Sequence, residues 1–198
     1  MPHKVPASEL ISRMQALRQR MDEDHPEWEL LAIFSKVNQF YFTGFSAYEG
    51  GYPVWLSAFI LPVEGEPEFI LSEMHRDIMK HAETAFPTDA VTTYRDGEDP
   101  APLLEEALDD LGLIEGTIGL EDDAWFGDSE LLQNIVPKAD IVSAQKIFDR
   151  LRIVKDELEI ENIRKANEIA AEAHAAAVDA IEEGRPEYEA AQEITNAM

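Results

Sequence analysis

Cysteine is absent from this 198-residue chain, and its absence removes several kinds of chemistry at once. Without a thiol there is no disulfide, no thiolate nucleophile and no cysteine-ligated zinc. Long apolar runs are lacking too, since no stretch reaches the roughly 18 residues that a membrane-spanning helix needs. The N-terminal residues MPHKVPASEL contain no apolar signal-peptide core. We therefore expect a cytoplasmic protein with no membrane partner.

Basic residues are also scarce, with 16 Lys and Arg against 41 Asp and Glu and a net charge of −25. No basic patch is available to neutralise phosphates, which excludes a nucleic-acid partner. The acid excess is spread along the chain, because residues 1–150 carry 29 acids and 11 bases and residues 151–198 carry 12 and 5. This distribution favours a halophilic protein with a solvating surface. An acidic face for a basic protein partner is the alternative.

Motifs for nucleotide binding and serine hydrolysis are missing, since the chain contains no P-loop, no G-x-G-x-x-G and no G-x-S-x-G. His75 and His81 lie six apart, so they face different sides of a helix and cannot form an i,i+4 metal pair. The acids Glu121–Asp123 follow a predicted strand, where α/β proteins often place functional groups. Because acids are so common here, we interpret them as a solvated cluster. The alternative, a hard-cation site, requires oxygen ligands from other loops.

Short apolar runs alternate with helical patterns and predict an α/β fold. We expect a mixed sheet of about five to six strands flanked by helices, with antiparallel pairing early in the chain and parallel pairing later. The predicted strands are Trp28–Ser35, Gln39–Gly44, Pro53–Pro62, Glu68–Leu71, Ala90–Tyr94, Thr117–Glu121 and Ala139–Ala144. The turn VEGEP joins the third and fourth of these into a hairpin.

The last part of the chain predicts a long helix and the start of another. Asp156 and Glu159 have the spacing of a capping box, and an apolar stripe follows for about 27 residues. Gly184 and Pro186 end this helix, and a second helix begins near Glu187. Two helices cannot bury such a stripe alone. We therefore expect one complete domain over residues 1–150, and over residues 151–198 a connecting helix and the first helices of an incomplete domain cut off at Met198.

Three segments together resemble the creatinase/prolidase ("pita-bread") metallopeptidases. The segment FYFTGFSAYEGGYPVWLSAFILPVEGEPEFIL resembles the Y-L-T-G-F segment and hairpin of that family's N-terminal domain, and EEGRPEYEAAQEI resembles its i-x-x-G-x-x-E-x-E segment. The residues that resemble its R-x-x-K-x-x-x-E-I-x-x-I-R-x-A motif are Arg152, Lys155, Glu159, Ile160, Ile163, Arg164 and Ala166. Each motif is weak alone, but their order and spacing match the family over essentially the whole chain.

The resemblance implies the N-terminal domain of a metal-dependent Xaa-Pro peptidase, of prolidase or aminopeptidase type, that acts on proline-containing dipeptides or short peptides. Such a parent is expected to be a homodimer and to hold two divalent metal ions (Mn, Co or Zn), which activate a water molecule. The family's ligands are two Asp, one His and two Glu late in the catalytic domain. None of these positions occurs before Met198, so we assign no catalytic residue, metal ligand or cofactor to this chain and expect it to be inactive alone.

The resemblance also assigns a role to the segment Gly44–Pro53. In the family the corresponding hairpin loop reaches the active site of the neighbouring subunit. Phe45, Tyr48 and Tyr52 are therefore expected to wall a partner's substrate pocket. The alternative is an ordinary hairpin whose aromatic side chains pack locally.

Two other functions are compatible with the sequence. A creatinase-like hydrolase that is not a peptidase has the same N-terminal architecture. Relatives that have lost the metal site instead act as protein-binding modules, and the acidity of this chain would suit a basic partner.

The charge distribution predicts that stability rises with salt. Repulsion among the acids opposes folding at low ionic strength, and the Debye length falls from about 10 Å at 0.1 M to about 3 Å at 1 M salt. The thermal unfolding midpoint should therefore increase clearly between these KCl concentrations. A midpoint that stays constant would contradict salt adaptation and would leave the acidity to be explained by a basic partner.

Overall fold

The computed structural model describes residues 5–45, 56–82, 84, 86, 91–112 and 115–197. The chain divides into two compact units, Val5–Ile153 and the residues from Val154 onward, and each is described by itself. Among the residues described, no helix combines the length and the apolar character that crossing a bilayer requires.

A six-stranded mixed sheet forms the centre of the first unit, as the sequence predicts. Its strand order is β4-β3-β2-β1-β5-β6. The strands are β1 Trp28–Ile33, β2 Ala58–Pro62, β3 Glu68–Ser72, β4 Thr92–Tyr94, β5 Thr117–Leu120 and β6 Asp140–Ser143. The helices are α1 Ala7–Asp24, α2 Lys36–Thr43, α3 Glu73–Lys80, α4 Ala101–Asp110, α5 Phe126–Ile135 and α6 Gln145–Arg152.

The central strand β1 has neighbours of both kinds. It pairs antiparallel with β2, with Leu31 opposite Leu61, and parallel with β5, with Ala32 beside Leu120. β2 and β3 form the predicted antiparallel hairpin, and the pairs β3–β4 and β5–β6 are parallel. The carboxyl ends of β1, β3, β4, β5 and β6 therefore meet at one edge of the sheet, together with the first residues of β2. We call this edge the carboxyl edge.

Both faces of the sheet are covered, because the strands carry apolar residues on each side. On one face α1, α2, α3 and α6 pack over Leu31, Phe59 and Phe69. On the other face α4 and α5 pack over Leu30, Ile60 and Ile118. Gly119 lies where Trp28 and Leu31 pack closely, since a Cβ placed on it would be 2.5 Å from Leu31 Cδ2.

The predicted strand Gln39–Gly44 is wrong, because residues 39–43 belong to α2, Lys36–Thr43, and Gly44 follows as its C-cap. The buried residues of this segment are Asn38, Gln39, Phe42 and Thr43, a spacing that fits one face of a helix. Gly44 ends the helix in the left-handed region at φ 80°. Both edges of β1 are occupied by β2 and β5, so a strand here would have had no place beside its predicted neighbour.

Five of the other predicted strands are observed over shorter ranges, and two of them begin two or more residues later than predicted. The strand predicted over Pro53–Pro62 is observed as Ala58–Pro62, and residues 46–55 lie outside the described part of the chain. The strand predicted over Ala90–Tyr94 is observed as Thr92–Tyr94.

The second unit is a pair of helices, α7 Glu157–Ala180 and α8 Glu187–Ala197. The predicted capping box is confirmed: the Glu159 N–H donates to Asp156 Oδ1 at 2.7 Å, and the Asp156 N–H donates to Glu159 Oε2 at 2.9 Å. α7 has 24 residues, slightly fewer than expected, and Gly184 has a positive φ of 85° in the connection to α8. A non-helical connection, residues 153–156, separates α6 from α7.

Candidate functional site

The most unusual side chain of the carboxyl edge is Glu121, which directly follows β5. It is only 1% exposed. Its Oε1 atom accepts hydrogen bonds from the backbone N–H of Phe34, at 2.5 Å, and from that of Ser35. The interpretation of the acids as a solvated cluster is therefore wrong for Glu121. β5 is a buried strand, and Glu121 extends it beneath the residues that connect β1 to α2.

The two acids that follow Glu121 also connect neighbouring strands. The Ser35 hydroxyl donates to Asp123 Oδ2 at 2.9 Å, which joins the β5 end to the β1 end. On the other side, the Ser143 hydroxyl donates to Asp122 Oδ1 at 2.5 Å. We call Glu121–Asp123 the acidic turn. It joins β1, β5 and β6 where their carboxyl ends meet.

Burial sets the ionisation of Glu121. Removal of the carboxylate from water raises its pKa to about 7 from the ordinary 4.5. The N–H groups of Ser35, Glu121 itself and Phe34 favour the charged form and oppose this shift, whereas the negative charge of Asp123 adds to it. The side chain is therefore close to half-protonated at neutral pH.

A second group of ionisable residues surrounds the first turns of the helices at this edge. Burial lowers the pKa of Lys36, and the charge of Asp128 opposes that shift. The pKa of His75, which is 5% exposed, is lowered by burial, while Asp96 raises it and Lys36 lowers it. The charge of Lys36 thus acts on a residue of α3 and on a residue of α5. Within the described ranges, no three His, Asp or Glu side chains converge in a way that could hold a metal ion.

Gln39 forms a second connection at the carboxyl edge, and it is fully buried. Its Nε2 atom donates to the Ile33 carbonyl and to the Ser57 carbonyl, both at 2.9 Å. Its Oε1 atom accepts from the Ser57 hydroxyl at 2.8 Å. Gln39 therefore joins the end of β1 to the residue before β2. The sequence carried no clear signal for this buried amide, because the burial pattern that fits a helix is known only from the structure.

Of the three predicted pocket-wall residues, the structure describes Phe45. Its side chain is 4% exposed and packs edge-on against Phe69, with ring centroids 6.1 Å apart. Its N–H donates to the Thr43 hydroxyl at 3.1 Å. Tyr48 and Tyr52 lie outside the described residues. The assignment of these three residues to a partner's pocket stays a prediction, and in this unit Phe45 contributes to the core.

The fold and this edge define a mixed α/β domain whose polar groups at the carboxyl edge connect strands to one another. Comparison with known families identifies it further. Residues 13–154 match the family model described as "Creatinase/Prolidase N-terminal domain". The chain belongs to this family, as its motifs predicted.

Relatives agree with this assignment. The chain is 30% identical over 190 residues to an Xaa-Pro dipeptidase of Pyrococcus furiosus, covering 94% of this chain and 47% of that protein. It is 33% identical over 96 residues to a creatinase of a Bacillus species, covering 48% of this chain and 23% of that protein. The fold is shared with a prolidase of Thermococcus sibiricus, at TM-score 0.74 and 22% identity, over 93% of this chain and 48% of that one. The chain spans about half the length of the dipeptidase it matches.

The network of Gln39 predicts a large effect of its removal. Gln39→Leu keeps the size of the side chain but leaves the Ile33 and Ser57 groups unpaired in the core. We expect a loss of about 3 kcal/mol in the free energy of unfolding, measured by urea denaturation. Gln15→Leu on the exposed side of α1 is the matched control and should change it by less than about 0.5 kcal/mol. Equal effects of the two substitutions would show that the network contributes little.

Proposed function

We propose that this chain is the N-terminal part of a metal-dependent Xaa-Pro dipeptidase that hydrolyses proline-containing dipeptides or short peptides. The observation that carries the proposal is the match to a dipeptidase over 94% of this chain. Because that match covers 94% of the chain, it extends beyond the N-terminal domain family model, which ends at residue 154, and includes α7. The similarity therefore includes the first long helix that the motifs assign to the start of a catalytic domain.

In this proposal the hydrolytic chemistry belongs to the other half of the parent. The acids of the carboxyl edge that form the acidic turn are already engaged: Asp122 and Asp123 accept from serine hydroxyls, and Glu121 accepts from backbone N–H groups. We place the two divalent metal ions, Mn, Co or Zn, in the later half of the parent. When bound, they would activate a water molecule for attack on the scissile carbonyl. The role of this domain is to supply homodimer contacts and substrate-pocket walls.

The contacts around residues 46–55 support a positioning role for this domain. The residue before this segment, Phe45, is anchored in the core, and Ser57 just after it is bonded to Gln39. The Leu56 carbonyl accepts from the Tyr94 hydroxyl at 2.8 Å. Both ends of the segment that carries Tyr48 and Tyr52 are thus held by buried groups of the domain. A pocket wall contributed to another subunit requires such fixed ends.

A creatinase-like hydrolase is the second candidate, because the chain also matches a creatinase over 96 residues. A metal-free protein-binding module is the third. The net charge of −25 would favour a basic partner in that case. The substrate that is hydrolysed distinguishes the dipeptidase from the creatinase-like hydrolase. Metal-dependent hydrolysis of either substrate distinguishes both enzymes from the binding module.

The proposed function predicts a difference between this chain and its full-length parent. With Mn²⁺, Co²⁺ or Zn²⁺ added, the parent should hydrolyse an Xaa-Pro dipeptide, and the 198-residue chain should give only the rate of a mock-purified control. Hydrolysis is measured by release of free proline. A parent that hydrolyses creatine instead would support the second candidate, and a parent without either activity would support the third.

The pocket-wall role predicts that the tyrosines and Phe45 behave differently when truncated. In the parent, Tyr48→Ala and Tyr52→Ala should each lower turnover of the Xaa-Pro dipeptide by about tenfold or more, since a wall that positions substrate contributes at least about 1.4 kcal/mol. The thermal midpoint should stay nearly unchanged.

Phe45→Ala is the contrasting variant. Because Phe45 is packed in the core, its truncation should cost about 3 kcal/mol of folding free energy or more. Loss of stability in the tyrosine variants, comparable to that of Phe45→Ala, would mean that the tyrosines are structural and do not reach a partner's pocket.

A further inference from the structure

We propose that Glu121 is a pH-dependent latch that holds the start of α2 against the end of β5. The contact is long-range, because Glu121 is 86 residues from Ser35 and 87 from Phe34 in the sequence. It joins two segments that backbone pairing of the strands no longer connects, since β1 ends at Ile33 and β5 at Leu120. The proposal concerns the conformation of this domain and does not depend on the peptidase function.

The two carboxylate oxygens of Glu121 have different surroundings. Oε1 accepts both N–H groups of the β1–α2 junction, Phe34 and Ser35. Oε2 is equally buried and has no hydrogen-bond partner in the described part of the chain. Glu121 forms no ion pair with a described cation. An ionised carboxylate here holds charge out of water without a counter-ion, which is costly. A proton on Oε2 removes that charge while Oε1 continues to accept both N–H groups.

The charged groups near the latch also favour the protonated form of Glu121. Asp123, on the same turn, places a second negative charge near Glu121 and accepts from the hydroxyl of the same Ser35. Other ionisable groups at this edge include Asp122 on the turn, Lys36 on α2, Glu73 and His75 on α3, Arg95 and Asp96 after β4, Asp128 on α5 and, through Gln145, Asp149 on α6. Lys36 is the cation of this group that lies on α2, the helix whose start Glu121 holds. Its charge acts on Asp128 and His75.

The direction of the pH effect follows from the two states of the latch. In the closed state the pKa of Glu121 is raised to about 7 by burial, and in an open, hydrated state it returns towards 4.5. Closure is therefore strongest below pH 4.5, where both states hold the proton. Between these values the closed state keeps a proton that the open state has lost. Opening then becomes about tenfold more favourable with each pH unit, and it levels off above about pH 7.

Opening of the latch would also affect groups beyond Phe34 and Ser35. Gln39, one turn into α2, donates to the Ile33 carbonyl and to Ser57. A shift of the α2 start therefore loosens the end of β1 and the entry to β2 together. The latch thus sets how firmly the carboxyl edge is held around neutral pH.

Amide hydrogen exchange on the 198-residue chain, in about 1 M KCl to screen the other acids, tests the proposal. We expect the opening constants of the Phe34 and Ser35 amides, corrected for intrinsic exchange, to rise about tenfold per pH unit between roughly pH 5 and 7 and then to level off. Glu121→Gln, which keeps an acceptor oxygen but cannot ionise, should abolish this dependence. Glu130→Gln, an exposed glutamate on α5, removes the same charge and should leave it unchanged.

Two results would overturn the latch. One is the same pH dependence in Glu121→Gln as in the unmodified chain. The other is an equal rise in opening for the Phe59 and Ile70 amides of β2 and β3, which would mean that the change is global unfolding. A carboxyl carbon-13 titration of the unmodified chain gives an independent measurement. It should show one glutamate signal that titrates near pH 7, and this signal should be missing from the spectrum of Glu121→Gln. If the unmodified chain shows no such signal, the proposal is also overturned.

Discussion

The pairing of β1 is the constraint on which the rest of this domain depends. β1 is antiparallel to β2 and parallel to β5, and because β2 is also antiparallel to β3, the strands β1, β3, β4, β5 and β6 all run in one direction. Five strand ends consequently collect at one edge, where their last backbone groups leave the ladder and need other partners. At the end of β1, Gln39 supplies a partner for the Ile33 carbonyl and Glu121 supplies one for the Phe34 and Ser35 N–H groups. The topology of the sheet therefore explains why polar side chains are needed at this edge.

The polar groups of this edge connect strand ends and hold backbone groups. Asp122 and Asp123 each accept a hydrogen bond from a serine hydroxyl, that of Ser143 and that of Ser35. The buried groups instead hold backbone in place at the ends of β1 and β2. A rigid edge of this kind can present a neighbouring segment to another domain or subunit with little loss of conformational entropy.

The acidity of the chain is mostly a surface property. The ion pairs of the described part are largely local and exposed, such as Lys80 with Asp77, and pairs of this type contribute little to stability. A few join distant segments, such as Arg150 on α6 with Asp24 at the end of α1, at 2.7 Å. Most of the acid excess is therefore left to solvent and counter-ions. Glu121 is different, because its environment is set by burial and hydrogen bonds.

The sequence by itself determined the features that depend on neighbouring residues. The apolar run of β1, the hairpin of β2 and β3, the Asp156–Glu159 capping box and the family motifs all depend on local spacing. Tertiary structure alone decided that Gln39–Gly44 is helical, because β2 and β5 occupy both edges of β1. It also decided that Glu121, one acid among 41, is buried. Its partners Phe34 and Ser35 are distant in the chain, and only the parallel pairing of β1 with β5 brings them together.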